Sequence, residues 1–293
     1  MEPNLVILAG GISSRMRQAP GRPEGIDPGL VRDANLKPKS MIGVGAGGRP
    51  FLDHLLMNAA EAGYRDIVLV VGQSDVTVRA HYTPVTVDGL GKGLRVSFAE
   101  QPIPEGRTKP LGTADALRWG LRSRPDWSGS RFTVCNSDNL YSPEAMRELL
   151  LMDFPAGLID YDRNSLQFER ERVEQFAVLS KDAEGFLRSI IEKPSPEEIA
   201  ALAGADGRVG VSMNIFRLDY DLMMPYLARV PMHPVRKEYE LPTAVGLLAA
   251  EHPRTVMTIP RAEHVPDLTS RDDLASVREF LHSTFDTSGG RHP

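Results

Sequence analysis

The run Leu5-Val6-Ile7-Leu8-Ala9-Gly10-Gly11-Ile12-Ser13-Ser14-Arg15-Met16 carries the strongest chemical signal in the chain. An apolar stretch of buried-strand type leads into a glycine and serine turn that ends on an arginine. Glycines let the backbone approach a ligand, and successive N–H groups in such a turn form an anion-binding concavity. Arg15 adds an always-charged fork that matches phosphate oxygens. The same turn also suits a plain strand-to-helix connection. Asp138 follows the apolar run Phe132-Thr133-Val134-Cys135 and so falls at the C-terminal end of a strand. A carboxylate there suits a hard divalent cation that leaves its other positions to water and phosphates. Gly112-Thr113 opens a helix after a proline-containing loop. Glycine at that point admits a flat base against the backbone, while threonine reads equally as a helix cap. Ile190-Ile191-Glu192-Lys193-Pro194 sets a carboxylate beside an ammonium at a strand end. Such a pair can hold hydroxyls and a phosphate, or be a surface charge pair of little consequence. Asn214 in Ser212-Met213-Asn214-Ile215-Phe216 reads as mid-strand, where its amide needs a partner.

These residues need a scaffold, and the chain supplies one in alternation. Strands are expected at residues 5–8, 67–71, 94–98, 132–135, 175–179, 209–216 and 255–259. Helices are expected at 51–62, 113–121, 143–152, 196–203, 241–250 and 271–285. Short β-branched runs alternating with amphipathic segments imply βαβ units, hence an α/β fold with a mixed, mostly parallel sheet flanked by helices. Pro50 suits the first position of the helix at 51, and Thr113 and Ser142 suit N-caps. Residues 18–35 lack apolar periodicity and begin rich in glycine and proline, so they read as a long loop, as do 83–93 and 102–110 on a smaller scale. Residues 157–192 hold two strand-like runs close together, expected as a sub-lobe laid on the main sheet. One domain over residues 1–286 is expected, with a half at about 1–150, a second at about 151–286, and a disordered tail at 287–293.

Composition narrows the function classes. The 293 residues include 34 Lys+Arg against 39 Asp+Glu, a formal net charge of −5. That acidity argues against non-specific nucleic-acid binding and against anionic membrane surfaces, so an anionic substrate must be held by a local cluster of cations and N–H groups. A single cysteine, Cys135, makes no intrachain disulfide. No basic leader and no apolar run of about 20 residues is present, so a cytoplasmic location is expected.

Taken together, Leu-Ala-Gly-Gly four residues before Arg15-Met16, then Pro38-Lys39, Gly48-Arg49-Pro50, Pro110–Ala116, Asn136-Ser137-Asp138-Asn139, Glu192-Lys193-Pro194 and 211–216 resemble the nucleotidyltransferases that activate sugar-1-phosphates. The resemblance runs from about residue 5 to 275, in the family's order. It implies a Rossmann-like fold of the glycosyltransferase type A kind, and a reaction in which a nucleoside triphosphate and a sugar-1-phosphate give a nucleotide-sugar and pyrophosphate, with Mg2+ as cofactor. It implies Arg15, Lys39 and Asp138 as catalytic residues, and Ala9, Gly10, Gly11, Arg15, Lys39, Gln101, Gly112 and Thr113 around the nucleotide, UTP or dTTP being favoured. Asn139, Glu192, Lys193 and Asn214 would hold the sugar phosphate, and Asp138 with Asp267 the metal. Two departures stand out. Residues 18–35 lengthen the usual Arg15-to-Lys39 spacing and would form an inserted lid. Arg49 replaces a customary lysine, and a guanidinium fork is no substitute for an ammonium, so it would serve the helix start instead.

Two alternatives remain on sequence grounds: a nucleotidyltransferase acting on a non-sugar phosphate or alcohol, and a catalytically silent nucleotide-sugar-binding regulatory protein. Retention of Arg15, Lys39 and Asp138 together favours an enzyme. No hexapeptide repeat occurs, so an appended acyltransferase β-helix is not expected. A homo-oligomer is compatible with the sequence.

Overall fold

The computed structural model describes residues 3–11, 27–204 and 206–286. Four parallel strands lead the fold: β1 (Asn4–Leu8), β2 (Asp66–Gly72), β3 (Arg95–Gln101) and β4 (Arg131–Asn136). Then come β5 (Ala156–Asp162), β6 (Val178–Lys181), β7 (Leu187–Ile191), β8 (Gly210–Val211), β9 (Ile215–Asp219) and β10 (Val256–Arg261). All join one mixed sheet in the order β3-β2-β1-β4-β9-β5-β8-β6-β7, with β10 parallel to β5 on its other edge. Since β9 is antiparallel to both β4 and β5, the strands β1 to β5 and β10 all point the same way. Their C-terminal ends therefore open on one edge of the sheet, where ligands of open α/β folds bind.

Side-chain alternation along β1 and β2 sorts the core into two layers. Leu5, Ile7, Ile67, Leu69 and Val71 face the helices Phe51–Ala62, Pro143–Leu151 and Asp273–Leu281. Val6, Val68 and Val70 face the helices Thr113–Arg122, Tyr220–Arg229 and Leu241–Glu251. Strands buried on both faces read as continuous apolar runs, which is why the parallel strands were legible in sequence. The Thr113–Arg122 helix lies close on the sheet at Gly120, where a Cβ would come within 2.9 Å of Val70.

Several expected elements differ. Residues 28–36, expected within the long loop, form a helix (Pro28–Leu36) started by Pro28 and capped by Asp27, whose carboxylate accepts from Gly29 N at 2.6 Å. Only Leu30 and Ala34 are buried on it, too few to register as apolar periodicity. Residues 18–26 and 287–293 lie outside the described residues. A one-turn helix (Pro84–Asp88), capped by the Thr83 hydroxyl, interrupts the 83–93 loop. Residues 175–177 belong to a turn after the short Arg170–Val173 helix, so β6 starts only at Val178. The expected strand 209–216 is two strands, because Asn214 adopts φ +57°. That break lets β8 bridge β5 and β6 while β9 pairs with β4 and β5. β5 and the Tyr220–Arg229 helix add to the expected elements, and the strands of 157–192 continue the main sheet edge to edge instead of lying on it. The last helix starts at Asp273, where the Asp273 carboxylate accepts from Thr269 N and Ser270 N. It ends at Leu281, followed by a single π-turn. Ser142 is the N-cap expected, accepting from Ala145 N at 3.1 Å. Thr113 is not: Gly112 occupies the N-cap position. The Thr113 hydroxyl instead accepts from Leu241 N at 2.9 Å and so caps the neighbouring Leu241–Glu251 helix.

Candidate active site

β1 leaves the sheet at Ala9, whose N–H donates to Val70 O at 2.8 Å, and the chain passes through Gly10 and Gly11 at the sheet's C-terminal edge. A Cβ on Gly10 would lie 3.3 Å from Gly72 N and 3.6 Å from Gln101 Oε1, so the backbone at Gly10 runs directly beside the ends of β2 and β3. Arg15 lies outside the described residues.

Gln101, the last residue of β3, is 2% exposed. Its amide donates to Gly112 O at 3.0 Å and to the Asp115 carboxylate at 2.9 Å, which leaves Oε1 on the Gly10 side. Asp115 therefore orients Gln101 as well as sitting in the first turn of its own helix. At Gly112, φ is +97°, and an added Cβ would meet Tyr239 O at 2.6 Å. The glycine is needed because the 238–239 backbone docks against it: Tyr239 N donates to Leu111 O, and Ala114 N donates to Tyr239 O.

At the end of β4, Asp138 accepts from Lys39 Nζ at 2.6 Å. Lys39 begins a short 3-10 turn after Pro38, which brings it 99 positions across the sequence to this carboxylate. The segment after β10 runs back along the same edge. Leu140 N donates to Pro266 O at 2.9 Å and Leu268 N to Asp138 O at 2.8 Å, with Asn139 and Asp267 bridged between them. This two-rung ladder sets Asp138, Asn139 and Asp267 side by side. Burial lifts the Asp267 carboxyl above its ordinary range, and the nearby Asp138 charge acts in the same sense. Two carboxylates crowded this way offer hard oxygens to a divalent cation. Among the described residues, no group of three or more His, Cys, Asp and Glu forms a metal cluster. Arg49 is remote from these groups in its contacts: its guanidinium rests on Met57 Sδ, on the Phe51–Ala62 helix.

Asn214 is not mid-strand but in the β8–β9 break, its backbone held by Ser212 Oγ and by the Tyr141 hydroxyl, which donates to Asn214 O at 3.3 Å. Tyr141 belongs to the chain just beyond Asp138, so Asn214 is tied to the β4 end. Glu192 and Lys193 follow β7 as expected, and Lys193 has φ +49°. Lys193 and Asn214 are two of the four described non-glycine residues with left-handed backbone, Lys237 and Arg254 being the others. Glu192 pairs with Arg236 and not with Lys193, and Arg236 also pairs with Glu240. The 232–240 segment thus runs from the Glu192 turn to Gly112.

Residues 34–230 match the nucleotidyl transferase family. The chain belongs to that family. A bifunctional protein GlmU of Trichlorobacter lovleyi is 26% identical over 207 residues, or 70% of this chain, while the match spans only 40% of that relative's length. A UDP-glucose pyrophosphorylase solved with UDP-glucose superposes with TM-score 0.70 at 15% identity, covering 97% of this chain and 99% of the other. A UTP-bound enzyme of the same kind from Acinetobacter baumannii gives TM-score 0.68 at 17% identity, covering 98% and 94%. The α/β, mostly parallel fold expected from sequence is the fold of these nucleotidyl transferases. No described helix is long and apolar enough to cross a membrane.

Within this nucleotidyl transferase, two residues that pair with candidate site residues carry no signal in sequence. Arg172 donates to Asp267 Oδ2 at 2.7 Å and also pairs with Asp273, and Arg236 links the Glu192 turn to Glu240. Both lie in mixed-charge runs that read as solvated surface, and no spacing sets them apart. A cavity of about 800 Å3 lies between the Pro28–Leu36 helix, the Gly43–Gly48 turn and the Asp273–His282 stretch. Among the described residues, Lys39, Gln101, Gly112, Asp138 and Asp267 do not line it.

Proposed function

We propose that the chain is a divalent-metal-dependent enzyme that transfers a nucleotidyl group from a nucleoside triphosphate to a sugar-1-phosphate, releasing pyrophosphate. The observation that carries this reading is the convergence of Lys39, Asp138, Asn139 and Asp267 beyond the parallel strand ends, with the Gly10–Gln101–Gly112 cradle on the same edge. Membership of the family and likeness to structures holding UDP-glucose and UTP support it, and make UTP the first nucleotide to test, with dTTP next.

In this reading the N–H groups of the Gly10–Gly11 turn, Arg15 and Lys39 hold the triphosphate. Gln101 Oε1 and the Gly112 backbone face the base. Glu192, Lys193, Asn139 and Asn214 hold the sugar phosphate. An oxygen of that phosphate attacks the α-phosphorus as the bond to the bridging oxygen breaks, and the electron pair leaves with pyrophosphate. The attacking oxygen is already ionised at neutral pH, so no general base is needed. Catalysis is positioning and neutralisation of the anions brought together. Asp138 and Asp267 would hold Mg2+, which supplies Lewis-acid charge neutralisation at the α-phosphate. The chain is proposed to act as one domain, with its first half holding nucleotide and its second half holding sugar phosphate.

Five nucleoside triphosphates crossed with common sugar-1-phosphates, scored by pyrophosphate release, test this reading. Turnover with one such pair, lost in Arg15→Ala, is the expected result. Release with alcohol or non-sugar phosphate acceptors alone would move the reaction to a different acceptor class, and nucleotide binding without any release would leave a binding protein.

A further inference from the structure

Resting on the reading of Asp138 and Asp267 as metal carboxylates, we propose that Arg172 is a resident counter-cation at Asp267. It competes with the divalent metal for that carboxylate and so keeps metal affinity low until nucleotide arrives. Asp267 Oδ2 accepts from Arg172 Nη2 at 2.7 Å, and Oδ1 accepts from the Thr269 hydroxyl at 2.6 Å, so both oxygens are already engaged by the chain. Across the ladder, Asp138 carries Lys39 at 2.6 Å. Each carboxylate of the pair thus meets a cation of the protein itself, and a metal arriving alone must displace charge that is already satisfied.

Arg172 is built to give up one arm without being lost. Its other guanidinium arm pairs with Asp273, and its plane lies over the Phe168 ring, 4.4 Å from the centroid. Phe168 in turn packs edge-on against His264, with ring centroids 4.8 Å apart. Asp273 is itself fixed, because its carboxylate accepts from Thr269 N and Ser270 N in the segment that carries Asp267. A planar fork with two anions and a ring to rest on can release Asp267 and keep its position. A triphosphate brings several anionic oxygens to the same edge. Metal and nucleotide together then outweigh what the metal alone cannot.

Direct titration with Mn2+, followed by the loss of its free electron-spin signal and without nucleotide, tests this. Arg172→Ala should bind Mn2+ about tenfold more tightly than the unaltered protein. Arg172→Lys, which keeps a charge but not the fork, should fall between. Phe168→Leu, which loosens the stack and leaves every charge in place, should shift affinity the same way by a smaller factor. In Arg172→Ala, a further Asp267→Asn change should abolish the gain. Unchanged Mn2+ affinity in folded Arg172→Ala would make Arg172 a structural tie and overturn the proposal. If Arg172→Ala fails to fold, unchanged affinity in Phe168→Leu does the same. Survival of the gain in the Asp267→Asn double variant would assign it to Asp273 and would equally overturn the proposal. Tighter Mn2+ binding in a protein that transfers no nucleotidyl group would leave this inference standing and defeat the reading above. Normal transfer with unchanged affinity would do the reverse.

Discussion

Gly112→Ala places a methyl group where the fold has no room. The backbone there has φ +97° and ψ −173°, a region that costs a non-glycine residue about 1–3 kcal/mol. The new Cβ would stand 2.6 Å from Tyr239 O and 3.1 Å from Tyr239 N, both backbone atoms that cannot rotate away. The 238–239 segment must then retreat, weakening the bonds from Tyr239 N to Leu111 O and from Ala114 N to Tyr239 O, each worth about 1 kcal/mol net. Strain and lost bonds together come to about 4 kcal/mol, a large part of the about 5–15 kcal/mol that holds a domain folded. Urea denaturation followed by circular dichroism measures the loss as a lower midpoint at unchanged slope. Gln101 loses its Gly112 acceptor in the same movement, so nucleotide affinity by calorimetry should fall in whatever fraction folds. A loss below about 1 kcal/mol would refute both the strained backbone and the docked segment, since neither can be absent from that sum.

Asp138→Asn should lower kcat about a thousandfold, equivalent to about 4 kcal/mol of transition-state stabilisation. Its melting temperature should stay near that of the unaltered protein, because the Asp138 carbonyl still accepts from Leu268 N; pyrophosphate release and thermal melts check the two halves. Thr113→Val removes the acceptor for Leu241 N and should cost about 1 kcal/mol in denaturant, and Thr113→Ser should restore it. Burial holds His264 down at about 4 against an ordinary 6.5, with the Arg172 charge adding to the shift. The unfolded chain therefore takes up a proton that the folded one refuses, so stability from this site is full above pH 6.5 and drains as pH falls towards 4. From pH 7 to 4 the melting temperature should fall more steeply in the unaltered protein than in His264→Phe, and parallel curves would contradict the shift.

The alternation of apolar strands with amphipathic helices was legible because both faces of a parallel sheet are buried, and burial writes itself directly into residue type. Asp138 just beyond a strand end and the Ser142 cap were legible for a similar reason: each depends on a few adjacent residues. The Pro28–Leu36 helix was not, since two buried residues leave no period, and the break at Asn214 was not, since a single left-handed residue inside an apolar run carries no signal. What only the tertiary structure decided were the pairings over long separations. Lys39 meets Asp138 across 99 positions, Thr113 caps a helix 128 positions away, and Arg172 reaches Asp267 across 95. Local sequence determines which backbone a segment prefers and which face it buries. Which charge finds which partner depends on strand order and direction, and here that is set by β9 running antiparallel between β4 and β5, which turns the ends of β4 and β10 to the same edge.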